Sequence, residues 1–237
     1  LPDTQPLAAH HRLSVDRHIG VLDLRADIHF AAAWTVLFGP SGSGKSSLIR
    51  AACGLLPATF ARRSGAAWQD LSHTPSHRRA LAYAPQRAAL FPHLTVRQNI
   101  AFAATVQHKP ATDSVEEALQ LFHLGAFAER LPNALSGGEQ QRVNLARALA
   151  VPQPHLILLD EPFTGIDRDL RDELLPRLVQ HLRQRQVPAV SVTHDIEEAL
   201  LLAPYVIRIA SGSVIAQGPA HEVLAAERAR ALLNLSA

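Results

Sequence analysis

The stretch GPSGSGKSS, Gly39 to Ser47, decides the fold. It satisfies the spacing G-x-x-x-x-G-K-[ST], which requires a buried strand before it and a helix after it. Both flanks comply: Thr35 to Phe38 is an apolar run, and a helix is expected from Lys45 to about Ala52. Glycines let the backbone curl around an anion, and loop N–H groups with a helix N-terminus make a positive cradle for phosphate oxygens. The cradle is assigned to Gly39, Pro40, Ser41, Gly42, Ser43, Gly44, Lys45, Ser46 and Ser47. Within it Lys45 is expected to reach the β- and γ-phosphates and Ser46 to hold Mg²⁺.

Outward from this loop, apolar runs alternate with helical patterns. Strands are expected at Leu13 to Val15, Val21 to Ile28, Leu81 to Ala84, Leu156 to Leu159 and residues 189–192. Tyr205 to Ile209 and Val214 to Gln217 read as a hairpin across Ser211-Gly212-Ser213. Helices are expected at Val96 to Ala104, Ser114 to Phe122, after the glycine pair at Gly137-Gly138, at 168–184, at Ile196 to Leu202, and along the tail from Ala220 to Leu235. Leu56 to Ser76, rich in Pro, Ser and Gly, reads as loops with short strands. The fold class is α/β. A phosphate-loop NTPase core has a mostly parallel sheet flanked by helices, an N-terminal antiparallel β portion and an inserted α-helical subdomain at about residues 87–150. The whole chain, 1–237, is one nucleotide-binding domain in this reading.

Composition narrows the class. The chain has 237 residues, 47% of them hydrophobic, so it can bury a core. Its net charge is only +2 and no Lys/Arg block marks a nucleic-acid stripe, so no nucleic-acid partner is expected. The single cysteine, Cys53, excludes an intramolecular disulfide, fits a reducing compartment, and reads as a small buried hydrophobe in the helix after the phosphate loop. His73 and His77 have helical ligand spacing, but Pro75 between them argues against a metal site. No apolar run reaches the length of a membrane span, and no secretion signal opens the chain. A start at Leu1 in a chain without Met reads as a trimmed N-terminus.

HLILLDEP, His155 to Pro162, is a buried strand ending in adjacent acids. In such sheets ligands bind outside the C-terminal ends of the strands, which sets Asp160 to orient Mg²⁺ and Glu161 to polarise an attacking water. LSGGEQQR, Leu135 to Arg142, begins a helix with two glycines, each costing roughly 0.5–1 kcal/mol against alanine. A capping box between Ser136 and Glu139 accounts for those two residues. It leaves Gly137 and Gly138 without a reason, and close approach of an external phosphate supplies one.

The phosphate loop, Gln86, LSGGE, LILLDE and His194, in that order, resemble the ATP-binding-cassette ATPases over essentially the whole chain. The resemblance implies ATP and Mg²⁺ as cofactors, with Ser46, Gln86 and Asp160 on the metal. It implies Glu161 as general base, Lys45 and His194 on the γ-phosphate, and Gln86 as the sensor between core and helical subdomain. TGID, Thr164 to Asp167, would cross a dimer interface through Asp167. In this family the signature of one copy, here Ser136, Gly137, Gly138 and Glu139, closes over the ATP of another, so a homodimer with two ATP is expected. Members usually stack adenine on an aromatic residue upstream of the phosphate loop. No Tyr, Phe or Trp lies between Leu13 and Asp27, and His18 is the nearest candidate.

FPHLTVRQNI and the single cassette look most like bacterial importer ATPases. WTVLFGPSGSGKSSLI, RRALAYAPQRAALFPH and RDELLPRL are similar to molybdate-importer cassettes. The resemblance implies a peripheral protein on the cytoplasmic face of the inner membrane. It would drive import through permease subunits served by an extracytoplasmic solute-binding protein. Leu90, Phe91 and Leu94 read as an exposed-looking apolar patch, either a site for that permease or part of the core of the helical subdomain. Sulfate, polyamine or ferric iron are alternative solutes. A soluble cassette working in DNA repair or translation is the rival from another class; it lacks support because no coiled-coil insertion or second cassette is present. The C-terminal regulatory barrel of many relatives is not expected in this chain.

Overall fold

The computed structural model describes residues 11–30, 32–64, 66–106 and 112–234. In chain order the elements are β1 (His11–Ile19), β2 (Leu22–Phe30), β3 (Trp34–Phe38), α1 (Lys45–Ala52), β4 (Thr59–Ser64), β5 (Ala67–Asp70), β6 (Leu81–Ala84), α2 (Val96–Val106) and α3 (Thr112–Leu121). They continue as α4 (Gly137–Leu149), β7 (Leu156–Asp160), α5 (Arg168–Gln184), β8 (Ala189–Thr193), α6 (Ile196–Leu202), β9 (Tyr205–Ala210), β10 (Ser213–Pro219), α7 (Ala220–Val223) and α8 (Ala225–Asn234). The chain divides into two compact units. One is built from both ends of the chain, up to Arg79 and from Pro188 onward; the other is Ala80–Val187.

In the first unit the strands lie in the order β5-β4-β1-β2-β10-β9-β3-β8. β1, β2, β4 and β5 pair antiparallel, while β3 pairs parallel with both β8 and β9. The burial patterns follow from composition. β2 alternates, with Leu24, Ala26, Ile28 and Phe30 buried and Asp23, Arg25, Asp27 and His29 outward, because only one of its faces meets the core. β3 and β8 are buried at every position, as expected of central parallel strands covered on both faces. Each buried Val or Leu contributes about 1.5–3 kcal/mol. Trp34 keeps its indole N–H satisfied inside the core by donating to Ser191 Oγ at 2.9 Å.

Two close backbone contacts hold the phosphate-loop end of this unit. Gly212 turns the β9–β10 hairpin with φ +79°, and a Cβ there would lie 2.0 Å from the carbonyl oxygen of Asp23. Its N–H donates to the Ser43 carbonyl at 3.1 Å, while its own carbonyl accepts from the Arg25 N–H at 2.8 Å. At the other end of α1, buried Arg79 donates to the carbonyls of Ala52 (2.8 Å), Ser72 (2.9 Å) and Thr74 (2.9 Å), closing the helix C-terminus. Cys53 is the buried residue that follows α1.

The second unit sets the parallel pair β6–β7 beside α4, with α2 and α3 packed against α4 and α3 also meeting α5. Arg142 of α4 donates to the Phe122 carbonyl at 2.7 Å and so caps the end of α3. Arg185 beyond α5 donates to the Leu149 carbonyl at 2.7 Å and caps α4.

Several expectations shift. The first two strands run longer than the apolar residues alone indicated, because polar outward positions are strand as well. The tail is two helices broken at Leu224 rather than one, and Leu235 lies outside the described residues. Leu90, Phe91 and Leu94 are half-buried, not exposed: the Phe91 ring packs on Phe102 at 4.3 Å between centroids, and it is Phe102 that remains 38% exposed. Among the described residues no helix is long and apolar enough to cross a membrane.

Gly212→Ala is expected to destabilise the chain by at least about 2 kcal/mol, because it combines a left-handed backbone with a backbone clash. Urea denaturation checks this; an unchanged midpoint would show that the hairpin relaxes away from Asp23.

Candidate active site

Parallel register brings the first unit's chemistry to one edge. Phe38 stands beside Thr193 of β8 and Arg208 of β9, so Gly39 and His194 leave the sheet together at the C-terminal ends of β3 and β8, while β9 runs on through Ile209 to Ala210. Gly39 is needed there: a Cβ would lie 2.0 Å from the Ile209 carbonyl oxygen. Beyond it the loop turns with Ser43 N–H on the Pro40 carbonyl at 3.3 Å. It enters α1 through Gly44, at φ 100°.

No side-chain hydrogen bond caps α1 at Gly44 and no acid lies in its first turn, so the helix brings no carboxylate of its own to its positive end. Lys45 is buried and its Nζ donates to the carbonyls of Gly39 (2.8 Å) and Pro40 (2.7 Å), which keeps the ammonium against the loop. Ser41 and Gly42 are exposed, and Ser46 and Ser47 are half-buried on the first turn. His194 is exposed just past β8. The backbone after it is fixed, since the Asp195 N–H donates to Thr193 Oγ1 at 3.0 Å and that hydroxyl donates to buried Glu198 at 3.0 Å.

In the second unit Ala84 pairs with Leu159, and continuing that register sets Gln86 beside Glu161. Gln86 Nε2 donates to Glu161 Oε2 at 2.9 Å, and Thr164 Oγ1 donates to the same oxygen at 3.3 Å. Asp160, at the end of β7, is only 3% exposed, while Glu161 is half-buried. Glu161 has φ 46°, a left-handed conformation that costs a non-glycine residue of order 1–3 kcal/mol. Strand, side-chain hydrogen bonds and the Thr164 N–H on its carbonyl at 3.3 Å hold it there. Two neighbouring acids are thus given different surroundings, one enclosed and one turned outward on a strained backbone.

The signature segment forms the capping box. Ser136 Oγ accepts from the Glu139 N–H at 3.3 Å, and Glu139 Oε2 accepts from the Ser136 N–H at 2.6 Å and its hydroxyl at 2.7 Å. The Ser136 hydroxyl, then its N–H, hold the Glu139 carboxyl below its ordinary range. The glycine pair divides in two. A Cβ on Gly138 would lie 2.8 Å from the Gly165 carbonyl oxygen, so packing inside this unit already demands a glycine. A Cβ on Gly137 would meet nothing within 4 Å, so only there does the absence of a side chain lack an internal reason. Asp167, exposed, is the N-cap of α5 and accepts from the Asp169 N–H at 3.0 Å.

The sequence expectations missed a stripe on α4. Gln141, Asn144 and Arg147 donate to the carbonyls of Pro162 (3.1 Å), Pro85 (2.8 Å) and Ala89 (2.7 Å). Polar residues recurring every third position in an otherwise buried helix were the available signal. His18, at the tip of the β1–β2 hairpin, is exposed and joined to Asp23 through Nδ1 at 2.8 Å, which pulls the Asp23 carboxyl down.

The donor chemistry suits the expected ligands. Ser46 in the first unit, and Gln86 and Asp160 in the second, each offer oxygen, the ligand type Mg²⁺ prefers. The loop from Gly39 to Ser47 offers backbone N–H groups, a helix N-terminus and a lysine, the set that binds polyphosphate.

A family model described as ABC transporter matches residues 27–164. A molybdenum import ATP-binding protein ModC of Methylococcus capsulatus is 41% identical over 194 residues, covering 81% of this chain and 54% of that protein. A ModC 1 of Azotobacter vinelandii is 42% identical over 197 residues, with the same coverage of 81% and 54%. The chain therefore spans about half the length of the curated relatives it matches. Among solved structures, cbiO1 from Clostridium perfringens, part of the cbiONQ complex, superposes with a TM-score of 0.75 at 24% identity, covering 95% of this chain and 94% of that one. A dimeric post-hydrolysis state of the ATP-binding cassette MJ0796 bound to ADP and Pi gives 0.77 at 24% identity, covering 89% and 98%. Both likenesses bear on the fold.

Ser136→Ala is expected to cost about 1 kcal/mol or less, since the cap is exposed. The Glu139 pKa is lower folded than unfolded, so its contribution is complete above the ordinary carboxylate range and disappears as pH falls through the lowered value. Denaturation near neutrality and in acid should show the difference between wild type and variant shrinking at low pH; a constant difference would remove Glu139 from the cap.

Proposed function

Because the chain belongs to the ABC transporter family, we propose that it binds ATP with Mg²⁺ and hydrolyses it to drive solute import through a separate membrane permease, with molybdate as the solute. The observation that carries the hydrolytic part is the Gln86–Glu161 hydrogen bond at the mouth of β6 and β7. It aims a carboxylate that, beside a bound triphosphate, can take a proton from an attacking water. The observation that favours molybdate is the run of curated relatives, 39–42% identical, that carry the name molybdenum import ATP-binding protein.

In this reading residues 39–47 hold the triphosphate. Lys45 gives up its loop carbonyls for phosphate oxygens, with no change in the charge it carries. Ser46, Gln86 and Asp160 would hold Mg²⁺, which would neutralise charge on the β- and γ-phosphates. Glu161 accepts a proton from the attacking water, Gln86 keeps its carboxylate aimed, and His194 donates to the γ-phosphate. Residues 87–150 act as the helical subdomain. Ser136, Gly137, Gly138 and Glu139 of one copy close over the nucleotide of a second copy, with Asp167 at that interface. Gly137, open to its surroundings, is where the second copy's phosphate approaches most closely. The cassette is thereby peripheral to the cytoplasmic side of a membrane and receives its signal from a solute-binding protein through the permease.

Glu161→Gln should lower ATP turnover by at least about a hundredfold and trap ATP-bound dimers, because an amide cannot accept the proton. Turnover assays with size-exclusion chromatography check this; unchanged turnover would end the assignment. Ser136→Ala should bind a fluorescent ATP analogue within about twofold of wild type while turnover falls more than about tenfold, the pattern of an interaction made only in the closed state. With the co-purified permease and binding protein, molybdate and tungstate should stimulate hydrolysis. Stimulation by sulfate, polyamine or ferric iron instead would replace the solute.

A further inference from the structure

α4 is a single rod, Gly137–Leu149, whose N-terminal turn carries the signature capping box. Further along, three donors spaced three residues apart lie within roughly a third of its circumference. Asn144, fully buried, gives its amide to the carbonyl of Pro85, immediately before Gln86. Arg147 donates to the Ala89 carbonyl three residues after Gln86, donates also to Asn144 Oδ1 at 3.2 Å, and has its guanidinium 5.7 Å from the Phe91 ring centroid. Gln141, 4% exposed, gives its amide to the carbonyl of Pro162, immediately after Glu161.

The remaining long polar side chains of α4 go elsewhere. Gln140 donates to Pro132 (3.0 Å) and Leu135 (3.3 Å), and Arg142 to Phe122 and His123. The stripe is therefore specific to the two segments that carry Gln86 and Glu161. Both acceptors nearest those residues belong to prolines, which bring no N–H of their own, so the backbone there is held by its carbonyls.

We infer that Gln141, Asn144 and Arg147 are positioning residues that tie the signature helix to the backbone flanking Gln86 and Glu161, so that seating of α4 and alignment of the Gln86–Glu161 pair are one event. A shift of α4 at its N-terminal turn is carried along the rod to both segments at once. The inference rests on the ATPase reading for its catalytic consequence, but the mechanical tie is measurable without turnover.

Hydrogen–deuterium exchange on the full chain tests the tie. Asn144→Ala and Arg147→Lys should raise exchange several-fold across residues 86–91 and leave 160–166 unchanged. Gln141→Ala should do the reverse, and Gln140→Ala neither. Exchange that rises throughout α4, or at neither segment, overturns the inference.

In steady state Asn144→Ala should lower kcat about tenfold with KM for ATP within about twofold. In a Gln86→Ala background the same substitution should add less than about twofold, because its route runs through Gln86. A full additional tenfold loss there overturns the inference. Arg147→Lys serves the same cycle if Asn144→Ala does not fold. Absence of turnover in the wild type defeats the ATPase reading instead, and the exchange pattern still decides the tie.

Discussion

The approach of Gly39 to the carbonyl of Ile209 is the constraint on which the rest of the structure depends. Strand β3 has neighbours on both sides, and at its end the chain must leave the sheet without room for a side chain. Because the departure happens there, the loop can double back, its Gly39 and Pro40 carbonyls held by Lys45, and enter α1. Gly212 repeats the solution one hairpin away, pressing its backbone on Asp23 while its N–H holds the Ser43 carbonyl. Two glycines at backbone contacts thus fix a third segment, and the phosphate loop inherits its shape from the sheet behind it.

The second unit answers with a different device. Its acids are placed by a parallel register, and its helix α4 then binds the backbone around them. Glu161 has a left-handed backbone, as several turn residues of this unit do, and it is tolerated at the strand end because hydrogen bonds surround it. Asp160 next to it sits in ordinary strand geometry and is enclosed. One peptide bond separates a rigid, buried carboxylate from a tensioned, outward one, and that division of labour is what adjacent acids at a strand end make possible.

Local chemistry in the sequence was enough to find β6, α1 and α5, because each is delimited by a motif, a proline or a capping residue. The strands around β3 were readable for the same reason: continuous apolar runs bounded by turn residues leave little choice. What could not be read was tertiary in origin. Gly138 reads as a ligand contact until Gly165 is seen against it, and Phe91 reads as exposed until Phe102 covers it. Gln141, Asn144 and Arg147 look like ordinary helix formers, since sequence shows a donor but not the distant carbonyl it meets. The tail broke at Leu224 for a reason no periodicity carries, since α7 packs against β9 and β10 while α8 has its own anchor in Arg208–Glu227.

The first unit is assembled from the two ends of the chain, whereas the second is one continuous stretch. During synthesis this orders events. Ala80–Val187 is complete and can collapse while β8 and β9 are still inside or unmade. β3, which pairs with both of them, waits with two open apolar edges until residues 189–210 emerge from the ribosome. The nascent chain therefore passes through a stage in which a strand buried at every position in the finished fold lacks both of its neighbours. Slow elongation after Val187 prolongs that stage, and a chaperone that shields sheet edges has its task set by the distance between Phe38 and Tyr205 along the message.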